Sequence, residues 1–129
     1  MKYLAMVYYQ EGKMRELSQQ EWDVLNRECM ACVEGLQQAG HFLAGEALQS
    51  TDTATTLRVR DGQVATTDGP FAETREQLAG FYMLEARDME EAVELASRIP
   101  PARYGSVELR PVRELRTENN DQIAGAKFG

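Results

Sequence analysis

The stretch LAGFYMLEARDMEEAVELASRIP, residues 78–100, contains a strand and the helix that follows it. Its first part is strongly apolar, and Gly80 within it indicates a bulge or the close approach of another strand. Asp88 has the character of a helix cap, supported by Glu91 three residues later, and Pro100 ends the helix. The stretch therefore predicts a β–α unit with one buried helix face.

The same order, strand then helix, occurs at the start of the chain. Residues 2–9 (KYLAMVYY) are apolar on both faces, as in a strand that is covered on two sides. Ser18 and Glu21 form a capping box, and Gly40 supplies a left-handed stop, so a helix is expected over residues 19–39. The chain thus begins with a second β–α unit.

The remaining segments predict strands and turns. Asp61-Gly62 is a strong hairpin signal because both residues tolerate positive φ. A polar loop is expected over residues 10–15 and another over 68–77. Further strands are expected over residues 41–48, 55–60, 63–67 and 105–112.

This order of elements predicts an α+β fold. Right-handed crossovers convert it into a ferredoxin-like split β-α-β unit with an added β-hairpin, in which an antiparallel sheet carries two helices on one face. Because its central strands are apolar on both faces, we expect a second copy of the chain to cover the other face, giving a homodimer. Residues 1–113 form this domain, and residues 114–129 form a C-terminal tail that frays unless a partner subunit holds it.

Composition excludes several classes of function. The 129 residues include 14 Lys+Arg and 21 Asp+Glu, a net charge of −7, which disfavours binding to nucleic acid or to an anionic membrane. The longest apolar stretch, residues 3–9, is far shorter than the roughly 20 residues of a spanning helix. A soluble, cytoplasmic protein is therefore expected.

A charged loop, DGPFAETREQLAG at residues 68–80, is the least ordinary part of the sequence. Gly-Pro makes a rigid turn, and Phe71 is expected to anchor the loop in the core. Two interpretations remain open. Glu73 and Glu76 either belong to a solvated charge run, or they lie near a cleft into which Asp68 points from the end of its strand.

Two other groups of residues, His41 and the pair Cys29 and Cys32, are candidates for chemistry. His41 is either an acid–base partner of Asp68 or an ordinary residue beside a helix end. Cys29 and Cys32 lie too far inside their helix for a redox motif, and a zinc site needs two further ligands, so buried core thiols are expected. No metal or cofactor is predicted.

The last strand carries Glu108 and Arg110 on one face. They form either a solvated edge or part of a cavity between subunits, where the two charges must pair with each other or with a ligand. Four aromatic residues of the central strands form either an aromatic wall of a site or part of the core: Tyr8, Tyr9, Phe81 and Tyr82.

The run TDGPFAETREQLAGFYMLEARDMEEAVELASRIP at residues 67–100, followed by GSVELRPV at 105–112, resembles the DGPF branch of the YCII-related family. The resemblance covers about residues 1–113. It implies a dimeric α+β barrel with a small-molecule site between sheet and loop, and a link to extracytoplasmic-function sigma factors. The family's other branch carries a His–Asp pair with the histidine on the first helix. Here only the aspartate, Asp68, matches, because the first helix has no histidine.

These observations predict a protein that binds a small molecule, or an enzyme that performs acid–base chemistry, in a pocket beside the loop. The alternatives are a non-catalytic regulatory module and a loop that acts only as a dimer clasp. The candidate catalytic residues are Asp68 and His41, and the candidate substrate-binding residues are Phe71, Glu73, Glu76, Arg110 and Tyr82.

Overall fold

The computed structural model describes residues 1–115 and residue 117, so the predicted tail lies almost wholly outside the described residues. Within them the chain forms an α+β fold with three α-helices and two antiparallel sheets. The strands are β1 (Lys2–Tyr9), β2 (Phe42–Ala47), β3 (Thr55–Arg60), β4 (Gln63–Asp68), β5 (Gln77–Glu85) and β6 (Ser106–Pro111). The helices are α1 (Glu11–Met14), α2 (Gln19–Gln38) and α3 (Met89–Ala96).

The main sheet has the strand order β2-β5-β1-β6, and every neighbouring pair is antiparallel. Alternate residues of β1, namely Tyr3, Ala5 and Val7, are buried, because successive side chains of a strand point to opposite faces. They belong to one core cluster with Leu36 of α2 and Leu95 of α3. The core therefore lies between the sheet and these two helices.

Side-chain caps begin both long helices at the predicted places. Ser18 Oγ accepts a hydrogen bond from the backbone N–H of Glu21 at 3.1 Å, and Glu21 accepts one from the N–H of Ser18 at 2.9 Å. Asp88 accepts a hydrogen bond from the N–H of Glu91 at 2.9 Å. Gly40 has φ 78°, the left-handed conformation expected after a helix. None of the helices in the described part of the chain has the length and apolar character needed to cross a membrane.

The predicted hairpin is confirmed. Asp61 and Gly62 have φ values of 52° and 74°, which two-residue turns of type I′ require. Strands β3 and β4 form a two-stranded sheet of their own, separate from the main sheet. Apart from the half-buried Thr56, every residue of these two strands is exposed.

The prediction of a polar loop over residues 10–15 is wrong, because α1 forms there. The carbonyl of Gln10 accepts hydrogen bonds from the backbone N–H groups of Lys13 and Met14, both at 3.1 Å. Met14 is only 4% exposed, so burial of this single apolar side chain holds the short helix α1 against the rest of the protein. One apolar residue in six has no detectable period, which is why the sequence pattern missed the helix.

Candidate functional site

A cavity of about 710 Å³ lies between α2 and the face of the main sheet that α2 covers. Its walls are mainly apolar and aromatic. The side chains that dominate them are Val7, Met14, Trp22, Leu25, Phe42 and Leu48. Because these residues come from distant parts of the chain, the cavity exists only in the folded protein.

Small residues on two paired strands make the floor of the cavity. Gly45 and Ala47 of β2 and Ala79 and Gly80 of β5 line it. A Cβ atom at Gly80 would lie 2.8 Å from the carbonyl oxygen of Glu46, so glycine is required for the close approach of the two strands. The close approach that the sequence predicted at Gly80 is therefore present, and it leaves the space beneath α2 unfilled.

Charged and hydroxyl groups gather at one end of the cavity, around Glu11. The Glu11 carboxylate accepts a hydrogen bond from Thr51 Oγ1 at 2.6 Å and others from the backbone N–H of Thr51. Burial works to raise the pKa of Glu11, but hydrogen bonds from Thr51 and Ser50 and the charge of Arg15 outweigh burial and lower this pKa. Arg15 donates to Ser50 Oγ at 3.3 Å and pairs with Asp52 at 3.2 Å. The Glu11 carboxylate is thus ionised, and the polar groups at this end of the cavity form hydrogen bonds with one another.

Two half-buried tyrosines add hydroxyl groups to the mainly apolar part of the cavity, which Asn26 also lines. Tyr9 and Tyr82 both line the cavity, and within the described residues neither hydroxyl makes a hydrogen bond. Burial raises the pKa of both phenols; Glu11 and Cys29 raise that of Tyr9 further, and Cys29 and Cys32 that of Tyr82. Both hydroxyls therefore stay protonated near neutral pH and are available as hydrogen-bond donors.

The two cysteines are free and half-buried, and they differ in their surroundings. Cys32 packs against the core, and its thiol lies 3.5 Å from the carbonyl oxygen of Arg98. Cys29 lies at the cavity wall, so the prediction of a core thiol is wrong there. Burial raises the pKa of both thiols, which disfavours the reactive thiolate. No group of three metal-ligating side chains forms within the part of the chain that is described.

The family model of the YCII-related domain matches residues 1–116. The chain belongs to the YCII-related family. An uncharacterised protein of Rhizobium meliloti (strain 1021) is 34% identical over 114 residues, a match that spans 87% of this chain and 92% of that relative. The similarity extends over the whole described fold, so it includes the elements that form the cavity.

Of the candidate catalytic and substrate-binding residues of this YCII-related chain, only Tyr82 lines the cavity, together with Tyr9 of the predicted aromatic wall. Asp68 ends β4, pairs with Thr55 and is exposed. Phe71 is 78% exposed, so the expectation that it anchors the loop in the core of this chain is wrong. An aromatic residue in a turn does not by itself determine whether other elements pack over it, and in the described residues Phe71 remains largely exposed. Its role as a dimer clasp stays a prediction.

His41 lies at the junction of α2 and β2 and does not line the cavity. Its backbone N–H donates to the carbonyl of Leu36 at 2.9 Å, closing the helix end. Its Nδ1 lies 2.8 Å from the carbonyl oxygen of Glu85, so Nδ1 carries the proton in this hydrogen bond. These contacts give His41 a structural role, and no contact joins it to Asp68 in the described residues.

The three remaining candidates also lie outside the cavity. Glu76 accepts a hydrogen bond from Ser106 Oγ at 2.9 Å, and Glu73 is exposed. Arg110 pairs with Glu108 at 2.9 Å, and both side chains are largely exposed. The strand register places this ion pair opposite Leu4 and Met6, on the sheet face away from the helices.

Sequence reasoning missed most of the cavity wall. Trp22 lies within the predicted helix over residues 19–39, whose pattern does not distinguish a cavity wall from core, and Glu11 and Arg15 lie in the predicted polar loop over residues 10–15. A signal was nevertheless present. Small residues on the inner faces of two predicted strands stood opposite a helix that carries a tryptophan, and small residues facing large ones leave either tight packing or a space.

Proposed function

We propose that this YCII-related chain binds an apolar small molecule in the cavity between α2 and the main sheet. The observation that carries the proposal is the cavity itself. Its volume of about 710 Å³ is typical of small-ligand sites, as are apolar walls with few polar groups. An apolar ligand that leaves water for such walls gains free energy through the hydrophobic effect.

Indane, a neutral bicyclic hydrocarbon, tests this proposal. Trp22 is the single tryptophan of the chain and lines the cavity, so the NMR signal of its indole N–H reports occupancy. We expect indane to shift this signal saturably. Cys29→Phe places a ring inside the cavity and should weaken indane binding by about tenfold or more, equivalent to about 1.4 kcal/mol.

Val24→Phe is the matched control, because Val24 is exposed on the same helix and does not line the cavity. This variant should keep the wild-type dissociation constant for indane. If folded Cys29→Phe protein binds indane as tightly as wild type does, or if wild type does not bind it, the cavity is not a ligand site.

Acid–base chemistry by Asp68 and His41 is a separate prediction that stays open. Because neither residue lines the cavity, the two ideas have different consequences for the same titration. Asp68→Asn should leave indane binding unchanged when the cavity is the site. Weaker indane binding by this variant would instead indicate that the charged loop contributes to the ligand site.

We also infer a ferredoxin-like arrangement and membership of the DGPF branch. The strand order β2-β5-β1-β6 supports the first, because it puts the two strands that precede the long helices, β1 and β5, side by side at the centre of the sheet. The run Asp68-Gly69-Pro70-Phe71 supports the second.

A homodimer through the outer face of the main sheet is the assembly that we propose. Leu4, Met6, Phe81 and Met83 occupy that face opposite one another in the strand register. A twofold interface must be self-complementary, and the neighbouring Glu108–Arg110 pair supplies both signs of charge for contact with its own copy. The partner of this face is thus a second copy of the chain.

A further inference from the structure

We infer that Tyr9 and Tyr82 are the polar anchors of the cavity, and that its ligand presents to them an uncharged oxygen acceptor such as a ring ketone. The inference rests on the proposed function, since the anchors matter only if the cavity is occupied. It specifies the class of ligand as an apolar ring compound with a carbonyl group. The lining of the cavity alone indicates only that the ligand is apolar.

The position of the two tyrosines in the cavity lining is the first support for this inference. Tyr9 ends β1 and Tyr82 lies within β5, and both line the cavity beneath α2. The Tyr82 ring is held by an edge-to-face contact with Phe42, with centroids 6.1 Å apart and planes at 88°. A ring held in this way presents its hydroxyl in a defined direction, which favours a directional hydrogen bond.

The hydroxyls of Tyr9 and Tyr82 make no hydrogen bond within the described residues, which is the second support for this inference. A buried or half-buried hydroxyl usually finds a partner, and leaving it without one is unfavourable. Tyr9 and Tyr82 have no hydrogen bond from their hydroxyls in the part of the chain that is described, whereas the hydroxyl of the neighbouring Tyr8 contacts the sulfur of Met6. An acceptor on a bound ligand would pair with these two donors in the mainly apolar part of the cavity wall.

The charges around the cavity select an uncharged acceptor. The Glu11 carboxylate is close enough to raise the pKa of Tyr9, and it would repel a negatively charged ligand group beside that phenol. Arg15, the cation of the lining, is already engaged by Ser50 and Asp52. Because the phenols donate and the local charge is negative, a carbonyl oxygen fits better than a carboxylate.

A comparison of 1-indanone with indane tests the anchors, because the two molecules share a ring system and differ in the carbonyl group. Following the Trp22 indole signal, we expect wild type to bind 1-indanone about three- to tenfold more tightly than indane, the effect of a neutral hydrogen bond. The Tyr9→Phe/Tyr82→Phe double variant should lose the preference for 1-indanone and bind the two probes equally. Tyr8→Phe is the control, since Tyr8 does not line the cavity, and it should keep the wild-type preference.

The outcomes separate this inference from the proposed function. If wild type binds both probes equally, or if the preference persists in the double variant, the assignment of Tyr9 and Tyr82 as anchors is wrong. The proposal that the cavity binds an apolar ligand is then not contradicted. If indane-1-carboxylate binds more tightly than 1-indanone, the uncharged acceptor is wrong. If neither indane nor 1-indanone shifts the Trp22 signal, the proposed function fails and the inference fails with it.

Discussion

Tyr82 is a residue whose acid–base behaviour changes on folding. Its ring packs edge to face against Phe42, the residue lines the cavity, and its hydroxyl makes no hydrogen bond within the described residues. Burial, and then the neighbouring thiols of Cys29 and Cys32, raise the pKa of the phenol. The neutral form is therefore favoured in the folded state, and this preference makes stability depend on pH.

We expect the free energy of unfolding to fall as the pH rises above about 10, the ordinary pKa of tyrosine. Below that pH both states keep the phenolic proton, so the contribution of Tyr82 is fully present. Above it the unfolded chain ionises first, and stability is lost as the pH rises towards the folded-state pKa. The slope stays below about 1.4 kcal/mol per pH unit, because the unfolded and folded states differ by at most one phenolic proton.

Urea unfolding of wild type and Tyr82→Phe at several pH values measures this effect. The thiols also titrate in this range, but they are present in both proteins, so the difference between the two slopes isolates the phenol. The variant should lose less stability with rising pH than wild type does. Equal slopes would contradict the raised pKa of Tyr82.

At the scale of elements, the packing of the edge strand β6 against the central strand β1 depends on one glycine. Gly105 connects the turn over Pro100–Tyr104 to β6. A Cβ atom at this position would lie 1.9 Å from the carbonyl oxygen of Tyr8, far inside van der Waals contact. The backbone of β6 therefore approaches β1 more closely than any other residue type would allow.

Gly105→Ala should destabilise the protein by about 2 kcal/mol or more, because backbone must move to accommodate the methyl group. Gly35→Ala is the matched control on α2. A Cβ atom there meets nothing within 4 Å, so this change should stabilise the protein by about 0.5–1 kcal/mol through helix propensity. Urea denaturation measures both, and a neutral Gly105→Ala variant would contradict the close approach.

At the scale of the whole molecule, the two faces of the main sheet differ. The inner face is covered by α2 and α3 and contains both the core and the cavity. The outer face carries half-buried apolar side chains, among them Met6 and Phe81, which are paired across β1 and β5. Because these apolar side chains are only half-buried in the described part of the chain, we propose that a second copy covers them.

Phe81→Glu should therefore dissociate the proposed dimer, because it places a charge in the centre of an apolar interface. Light scattering coupled to size-exclusion chromatography should give twice the 14.5 kDa chain mass for wild type and the single-chain mass for the variant. Val93→Glu, at an exposed position on α3, should remain dimeric. A monomeric wild type would contradict the proposed interface.

Local signals in the sequence predicted most of the elements. The capping box of Ser18 and Glu21 and the left-handed Gly40 place α2 within a residue of its observed end, and Asp61-Gly62 places the hairpin. These signals work because a cap or a positive φ acts through neighbours in the chain. Helix α1 had no such signal, since its stability comes from the burial of Met14 against distant elements.

The sequence by itself determined the α+β character of this protein, the ends of its long helices and the position of its hairpin, because short-range backbone chemistry is sufficient for these. Only the tertiary structure decided where the candidate site lies. It placed Tyr9, Trp22 and Tyr82 around one cavity and left Asp68 on an exposed strand end. The physical reason is that a cavity depends on the distance between packed elements, and no local pattern encodes that distance.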